Sequence, residues 1–161
     1  MRSAWITALL WFSAVGCGVM AGVYFAFSGF IMTALSRIDQ ASGVAAMSSI
    51  NTVILRSLFM PLFFGTTLAA LILAVAALTG WGTPGPLAML AGGVLYVLGM
   101  FVVTMLFNVP LNNTLESAHA SGVDAAATWA RYLRVWTMWN HVRTVASTAA
   151  CALFIVALTA R

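Results

Sequence analysis

A short polar segment near the C-terminal end combines residue types that could perform acid–base chemistry. The segment W-T-M-W-N-H-V-R-T, residues 136–144, contains Asn140, His141 and Arg143 within four positions. Histidine is the side chain that titrates near neutral pH, so we expect His141 to act as a general base. Asn140 and Arg143 can donate hydrogen bonds to an oxygen that becomes negatively charged. These three residues are the candidate catalytic residues.

The polar segment leads into A-S-T-A-A-C-A-L-F-I-V-A-L, an apolar run typical of a membrane-spanning helix. The spacing of five residues places them on one stripe of that helix: Trp129, Trp136, Asn140, Arg143 and Ser147. Ionisable groups this far into a spanning helix usually face the interior of the bundle and mark a site. Two alternatives stay open, in which Arg143 snorkels to the interface and the tryptophans form an interfacial belt.

A second motif, N-V-P-L-N at residues 108–112, ends the third apolar segment. Asn108 and Asn112 are four residues apart, so they share one face of a helix. Pro110 lacks an N–H and leaves the carbonyl of Leu106 without its usual partner. Two interpretations stay open. Either proline stops the helix and the asparagines cap it, or two carboxamides face a site.

Further polar and aromatic residues fall at the same end of the predicted helices. Asn51 and Arg56 lie in the second apolar segment, where Pro61 is expected to kink the helix and free the Ser57 carbonyl. The residues that we expect to bind a substrate are Tyr24, Asn51, Arg56, Asn108, Asn112, Trp136 and Trp139.

The composition predicts an integral, multi-pass membrane protein. The chain has 161 residues, of which 63% are hydrophobic and only 6% are charged, whereas soluble domains are about 25% charged. The arginines are scattered and form no basic stripe, so we expect no nucleic-acid binding. The expected partners are membrane lipid and a hydrophobic small molecule. The alanine-rich sequence suggests a bacterial inner membrane.

Four segments are long and apolar enough to cross a bilayer, at about residues 4–35, 44–78, 86–107 and 125–158. They predict an all-α fold, an up-down four-helix bundle that forms one domain over residues 1–161. The helices are longer than a bilayer requires, so they should extend beyond it on one side. The polar residues of all four helices converge at that extended end.

No cofactor or metal is predicted for the polar end. Glu116 and His119 have the Glu-x-x-His spacing of di-iron bundles, but the chain has only three acidic residues in total. A haem held by His141 alone stays open.

A stripe of small residues repeats every fourth position in the first segment: Ala14, Gly18, Gly22 and Ala26. Such a stripe lets another helix approach closely. The partner is either another helix of the bundle, which we favour, or a second copy of the chain in a homodimer.

The paired motifs N-V-P-L-N and W-T-M-W-N-H-V-R-T resemble the anthrone oxygenase-like family of small bacterial and fungal membrane proteins. The resemblance covers most of the chain and implies a shared polar set: Asn51, Asn108, Asn112, Trp136, Asn140, His141 and Arg143. Fungal members are associated with converting anthrones to anthraquinones with O₂. The resemblance implies an oxidoreductase in which His141 removes an acidic C–H proton and the resulting enolate reacts with O₂ without a cofactor.

The leading alternative is a non-catalytic protein that binds a lipid, quinone or partner subunit through the same polar cluster. In that case the polar residues tie the helices together, and no cavity would be bordered by Asn108, Asn140 and His141. A transporter or channel is less consistent with the sequence, because four helices with three acids offer little for coupling ions.

Overall fold

The computed structural model describes residues 4–79, 85–121 and 125–160, and this part of the chain is helical. Helix α1 comprises Ala4–Ala26, a wider π-helical turn at Phe27–Ile31, and Met32–Leu35. Helices α2 and α3 are Gln40–Ile54 and Phe59–Leu78. Helix α4 comprises Pro86–Tyr96, π-helical turns at Val97–Val102 and Thr104–Asn108, and Val109–Ser121. Helix α5 is Ala125–Thr159.

Four of these helices, α1, α3, α4 and α5, are long and apolar enough to span a membrane. The predicted all-α membrane fold is therefore confirmed. With 35 residues, α5 is about 52 Å long at 1.5 Å per residue, against a hydrocarbon core of about 30 Å. The end of the bundle where α1 ends and α5 begins is called the extended end, because α2, which is not one of the spanning helices, packs there against α4 and α5.

The predicted second span, residues 44–78, is two helices rather than one. The chain breaks at residues 55–58, where the Arg56 and Ser57 amides donate to the carbonyls of Val53 and Ile54 at 3.1 and 3.2 Å. The Ser57 hydroxyl accepts from the amide of Phe59, so it caps the start of α3. Pro61 therefore lies in the first turn of α3, where a proline costs no hydrogen bond, and it does not kink a continuous helix.

Helix α4 continues through Pro110, although the sequence placed the end of this span at residue 107. The turns before the proline are π-helical, and the amide of Val109 donates to the carbonyl of Thr104, five residues earlier. This wider turn accommodates the proline ring and its missing N–H. The helix then runs to Ser121, so neither asparagine of the N-V-P-L-N motif caps a helix end.

The bundle has two apolar clusters, one in its middle and one at the extended end. The middle cluster joins the four spanning helices and includes Leu10, Leu73, Tyr96 and Phe154. The second cluster joins α2 to the end of α4 and the start of α5. Its buried residues are Met32, Val44, Met47, Leu111, Leu115, Trp129, Tyr132 and Trp136. The short helix α2 therefore closes the extended end of the bundle from one side.

The small-residue stripe of α1 packs partly inside the bundle. The Cys151 thiol of α5 donates to the carbonyl of Ala14 at 3.2 Å, and a Cβ at Gly18 would lie 3.5 Å from the Cys151 sulfur. A Cβ at Gly22 would meet no atom within 4 Å. The first half of the stripe is therefore an internal contact, and the homodimer stays a prediction for the second half.

Candidate active site

A cavity of about 490 Å³ lies at the extended end of the bundle. It is bounded by α1, α2, the turn at residues 55–58, α3, α4 and α5, and most of its lining is apolar. Phe64 and Met105, two of the lining residues, are 50% and 44% exposed. The cavity therefore reaches the surface between α3 and α4, which are membrane-spanning helices, and also beside Leu55 and Glu116, at the turn before α3 and near the end of α4.

Among the described residues, two charged ones line the cavity, Arg143 and Glu116. Glu116 is exposed, whereas Arg143 is buried, with only 4% of its surface exposed. Its Nη2 donates to Oδ1 of Asn140 at 2.7 Å, and its Nη1 donates to the Thr104 hydroxyl at 3.4 Å. The Thr104 hydroxyl itself donates to the carbonyl of Met100 at 2.7 Å, so its lone pairs face the guanidinium. Side chains of both α4 and α5 thus accept hydrogen bonds from the guanidinium.

Two aromatic rings lie against the Arg143 guanidinium. Its Cζ is 4.4 Å from the ring centroid of Tyr24 and 5.0 Å from that of Trp136. Both distances are in the range of cation–π attraction, which is stronger where the cation is shielded from water. The rings also restrict the rotamers of Arg143, so the guanidinium is fixed at the cavity.

Asn140 links α5 to α1 and orients Arg143. Its Nδ2 donates at 2.7 Å both to the carbonyl of Tyr24 and to the hydroxyl of Ser28. A carbonyl can only accept, so this contact fixes the amide with Oδ1 directed at Arg143. Asn140 is completely buried and does not line the cavity. Its role is therefore to position Arg143.

The two asparagines of the N-V-P-L-N motif both contact Trp136, but only one reaches the cavity. The Asn108 side chain donates to the Trp136 carbonyl at 3.2 Å and is buried. Oδ1 of Asn112 accepts from the indole N–H of Trp136 and from the hydroxyl of Tyr132, each at 2.8 Å. Asn112 lines the cavity, so it fixes the indole while facing the cavity.

The structure brings five of the ten predicted site residues to the cavity wall. They are Tyr24, Asn51, Asn112, Trp136 and Arg143. The predicted stripe of α5 also faces inward, since Trp129, Trp136, Asn140, Arg143 and Ser147 are all buried. Asn108 and Asn140 lie behind the wall and tie α5 to α4 and α1.

Three predicted site residues lie away from the cavity. His141 is exposed on the outer surface of α5, because two positions on a helix turn a side chain about 200° from Arg143. Arg56 is exposed in the turn between α2 and α3. Trp139 stacks on Phe107 with centroids 3.8 Å apart. The geometry therefore does not place the expected base, His141, where it could reach a molecule in the cavity.

Sequence reasoning missed several residues that line the cavity. Glu116 lies one turn after Asn112 on α4, and it is the carboxylate in the cavity lining. The four-residue spacing from Asn112 was a signal that could have found it. Phe59 and Phe63 of α3 stack on one another at 5.7 Å and also border the cavity. Their position depends on the break at residues 55–58, for which the sequence had no strong signal.

Within the described ranges, no three His, Cys, Asp or Glu side chains come together to hold a metal ion. The polar groups at the cavity are instead amides, hydroxyls, one guanidinium and one carboxylate. Such a set can bind an oxygen of a ligand, stabilise negative charge on it and accept a proton.

The comparisons with known proteins give a family for this chain. No curated protein and no solved structure is significantly similar to the chain. The family model described as anthrone oxygenase matches residues 55–153, which is more than half of the 161 residues. The match includes both polar motifs and most of the cavity wall contributed by α3, α4 and α5. The chain belongs to the anthrone oxygenase family.

Proposed function

We propose that the protein is a membrane-embedded oxygenase that oxidises a flat, apolar aromatic substrate with O₂. The substrate class is an anthrone or a hydroquinone. The observation that carries the proposal is the largely apolar cavity with the buried Arg143 in its wall, in a chain of the anthrone oxygenase family.

The cavity suits such a substrate in size and lining. Its volume of about 490 Å³ is within the range of about 300–1,000 Å³ that is common for small-molecule sites. Phe59, Phe63 and Trp136 offer aromatic surface to fused rings. The opening beside Phe64 and Met105 supports entry of an apolar substrate from the bilayer.

The proposed reaction begins at the acidic C–H group opposite the anthrone carbonyl. A base removes this proton, and the electron pair moves onto the carbonyl oxygen, which becomes an enolate beside Arg143. The electron-rich carbon passes one electron to O₂, and the resulting radical and superoxide combine to form a C–O bond. The protonated peroxide then loses water, which breaks the O–O bond and leaves the second ketone. One anthrone and one O₂ give one anthraquinone and one water.

We assign the base to Glu116 in place of the expected His141. Glu116 lines the cavity, whereas His141 is exposed on the opposite side of α5. Glu116 is itself exposed, so it can return its proton to water after each turnover. A hydroquinone would react at the same groups, giving a quinone and hydrogen peroxide.

A non-catalytic binding role is the second candidate, and one observation favours it. Asn108 and Asn140 do not border the cavity, and their side-chain amides join helices to one another. This is the geometry expected if the polar motifs mainly stabilise the bundle. A protein of this kind would hold a quinone or lipid in the cavity without changing it.

Aerobic and anaerobic incubation of purified protein with anthrone distinguishes the two functions. The oxygenase predicts that anthraquinone forms only with O₂, faster than in protein-free detergent, and without added metal or flavin. Binding without product formation for anthrone and several hydroquinones would support the non-catalytic role and contradict the oxygenase.

A further inference from the structure

We propose that the cavity binds its aromatic ligand as an oxyanion, a phenolate or enolate, and that Arg143 is the counter-ion. This inference deepens the proposed function and rests on it for the flat aromatic class. It adds that the ligand is ionised as soon as it is bound, before O₂ takes part. The cavity is thus a site that selects aromatic oxyanions over their neutral forms.

Arg143 is a buried cation with no protein anion beside it in the part of the chain that the structure describes. It is 4% exposed within a membrane-spanning helix. Its ionisable neighbours among the described residues are two phenols, Tyr24 and Tyr132, and no carboxylate. Buried charges are normally paired, because an unpaired charge in a medium of low dielectric constant is strongly unfavourable.

Neither phenol is placed to serve as the missing anion. The Tyr24 hydroxyl donates to the sulfur of Met100 at 3.3 Å, and the Tyr132 hydroxyl donates to Oδ1 of Asn112 at 2.8 Å. A phenol that donates a hydrogen bond carries its proton and is neutral. Tyr24 instead offers its ring face to the guanidinium.

The hydrogen bonds of Arg143 are also incomplete. A guanidinium has five N–H groups, and their acceptors in the protein are Asn140 at 2.7 Å, Thr104 at 3.4 Å and the Tyr24 hydroxyl. The Nε–H is buried and has no partner. A ligand oxygen in the cavity would accept from the N–H groups at the part of Arg143 that lines it, rather than from this buried Nε–H.

The rest of the lining limits what can carry that oxygen. Most of the cavity wall is apolar, with Phe59, Phe63 and Trp136 among the lining residues. Glu116, the carboxylate of the lining, is exposed and is not among the ionisable neighbours of Arg143. A ligand with one ionised oxygen on a flat aromatic body matches both the cation and the apolar wall.

The test uses 2-hydroxyanthraquinone, a flat phenol whose visible absorption reports its ionisation and which has no anthrone carbon to oxidise. The probe is titrated with purified protein in phosphatidylcholine nanodiscs. We expect the bound probe to ionise about 1 to 3 pH units lower than in protein-free nanodiscs, as for an acid placed beside an opposite charge. An unchanged or raised ionisation pH in the wild-type protein would overturn the proposal.

Variants separate the charge of Arg143 from its structural role. In Arg143→Gln the probe should ionise at a higher pH than in empty nanodiscs, because burial in an apolar cavity then acts alone. Asn140→Asp should make the lowering of the probe's ionisation pH smaller, since it gives Arg143 a protein anion. Arg143→Lys should keep part of this lowering. Arg134→Gln, an exposed arginine of the same helix, is the matched control and should keep the full shift.

Three further outcomes have a defined meaning. If phosphatidylglycerol nanodiscs displace the probe, the anion is a lipid phosphate and the aromatic class is wrong. If the probe shift depends on Arg143 but no anthrone or hydroquinone is oxidised, the oxyanion site stands and the proposed oxygenase fails. Equal shifts in the wild-type protein and in a folded Arg143→Gln variant would overturn the role of Arg143.

Discussion

At the residue scale, Arg143 is held by groups from three helices, and its Nε–H is left without a partner. Asn140 accepts one bond from the guanidinium and uses its own amide to anchor α5 to α1. Thr104 contributes from α4 and Tyr24 from α1. A cation fixed in this way needs no rearrangement when negative charge forms beside it, which is the condition for electrostatic catalysis.

The assignment of the base to Glu116 can be tested by comparing a variant of Glu116 with a variant of His141. We expect Glu116→Gln to lower the rate of anthrone oxidation by about 10²-fold or more, as is typical when a general base is removed. His141→Ala should change it little, because the imidazole is exposed on the far side of α5. Initial rates of anthraquinone formation measure both. The opposite ranking would return the base to His141 and contradict the cavity geometry.

Asn108 and Asn140 offer a second comparison, because both tie helices together but only Asn140 contacts Arg143. Alanine at either position should lower the free energy of unfolding by about 1 kcal/mol, the scale of interhelical hydrogen bonds in membranes. Only Asn140→Ala should also slow oxidation. Denaturant titration and kcat together check this. Equal kcat values for the two variants would show that Asn140 does not position Arg143.

At the element scale, the site depends on two departures from regular helix geometry. The break at residues 55–58 turns α2 over the extended end of the bundle and brings Asn51 to the cavity beside α3. The π-helical turns of α4 carry Thr104 to Arg143 and let the helix pass Pro110 to reach Asn112 and Glu116. Such turns occur often at functional sites.

Helices α3 and α4 pack closely in the middle of the bundle, next to the cavity. This packing can be tested at Gly93. A Cβ at Gly93 would lie 2.6 Å from the carbonyl oxygen of Ala70, so Gly93→Ala must push the two helices apart. We expect a loss of about 1–3 kcal/mol, typical of overpacking, seen as a lower Tm. The control is Gly22→Ala, where a Cβ meets nothing within 4 Å. A similar fall in Tm for both variants would contradict this packing.

The sequence was sufficient for the spanning helices and for the buried stripe of α5. Long apolar runs require membrane helices, and the spacing of Trp136, Asn140 and Arg143 fixes one inward face. The break before α3 was not predicted, because apolar residues flank Arg56 and Ser57 on both sides and Pro61 is equally consistent with a kink. His141 was expected at the site because it titrates near neutral pH, but the rotation of about 100° per residue turns it away from the inward face.

At the scale of the whole molecule, the protein places a largely apolar cavity with a few polar groups at the extended end of a bundle of membrane-spanning helices. Four spanning helices put the connection after α1 and the end of α4 on one side, and the end of α3 on the other. The cavity opening between α3 and α4 would then face the bilayer, while Glu116 stays within reach of water. This arrangement suits an apolar substrate that must lose a proton during the reaction.

The topology can be checked with an impermeant thiol reagent on sealed membranes. In a Cys17→Ala, Cys151→Ala background, cysteines replacing Ser36 and His119 should react from the same side. A cysteine replacing Thr79 should react only from the opposite side. Labelling of all three from one side would contradict four spans. A second span starting at residue 44 predicts that a cysteine at Leu55 is shielded, whereas the structure starts this span at Phe59, so a cysteine at Leu55 should react.

The most direct test of the central claim is the consumption of O₂ during anthrone oxidation by purified protein in nanodiscs. We expect one O₂ to be consumed for each anthraquinone formed, and the rate to fall by about 10²–10³-fold in Arg143→Gln, the usual effect of removing an oxyanion-stabilising group. Arg134→Gln should react like the wild-type protein. A wild-type rate no higher than that of empty nanodiscs, or a folded Arg143→Gln variant with undiminished activity, would contradict the account.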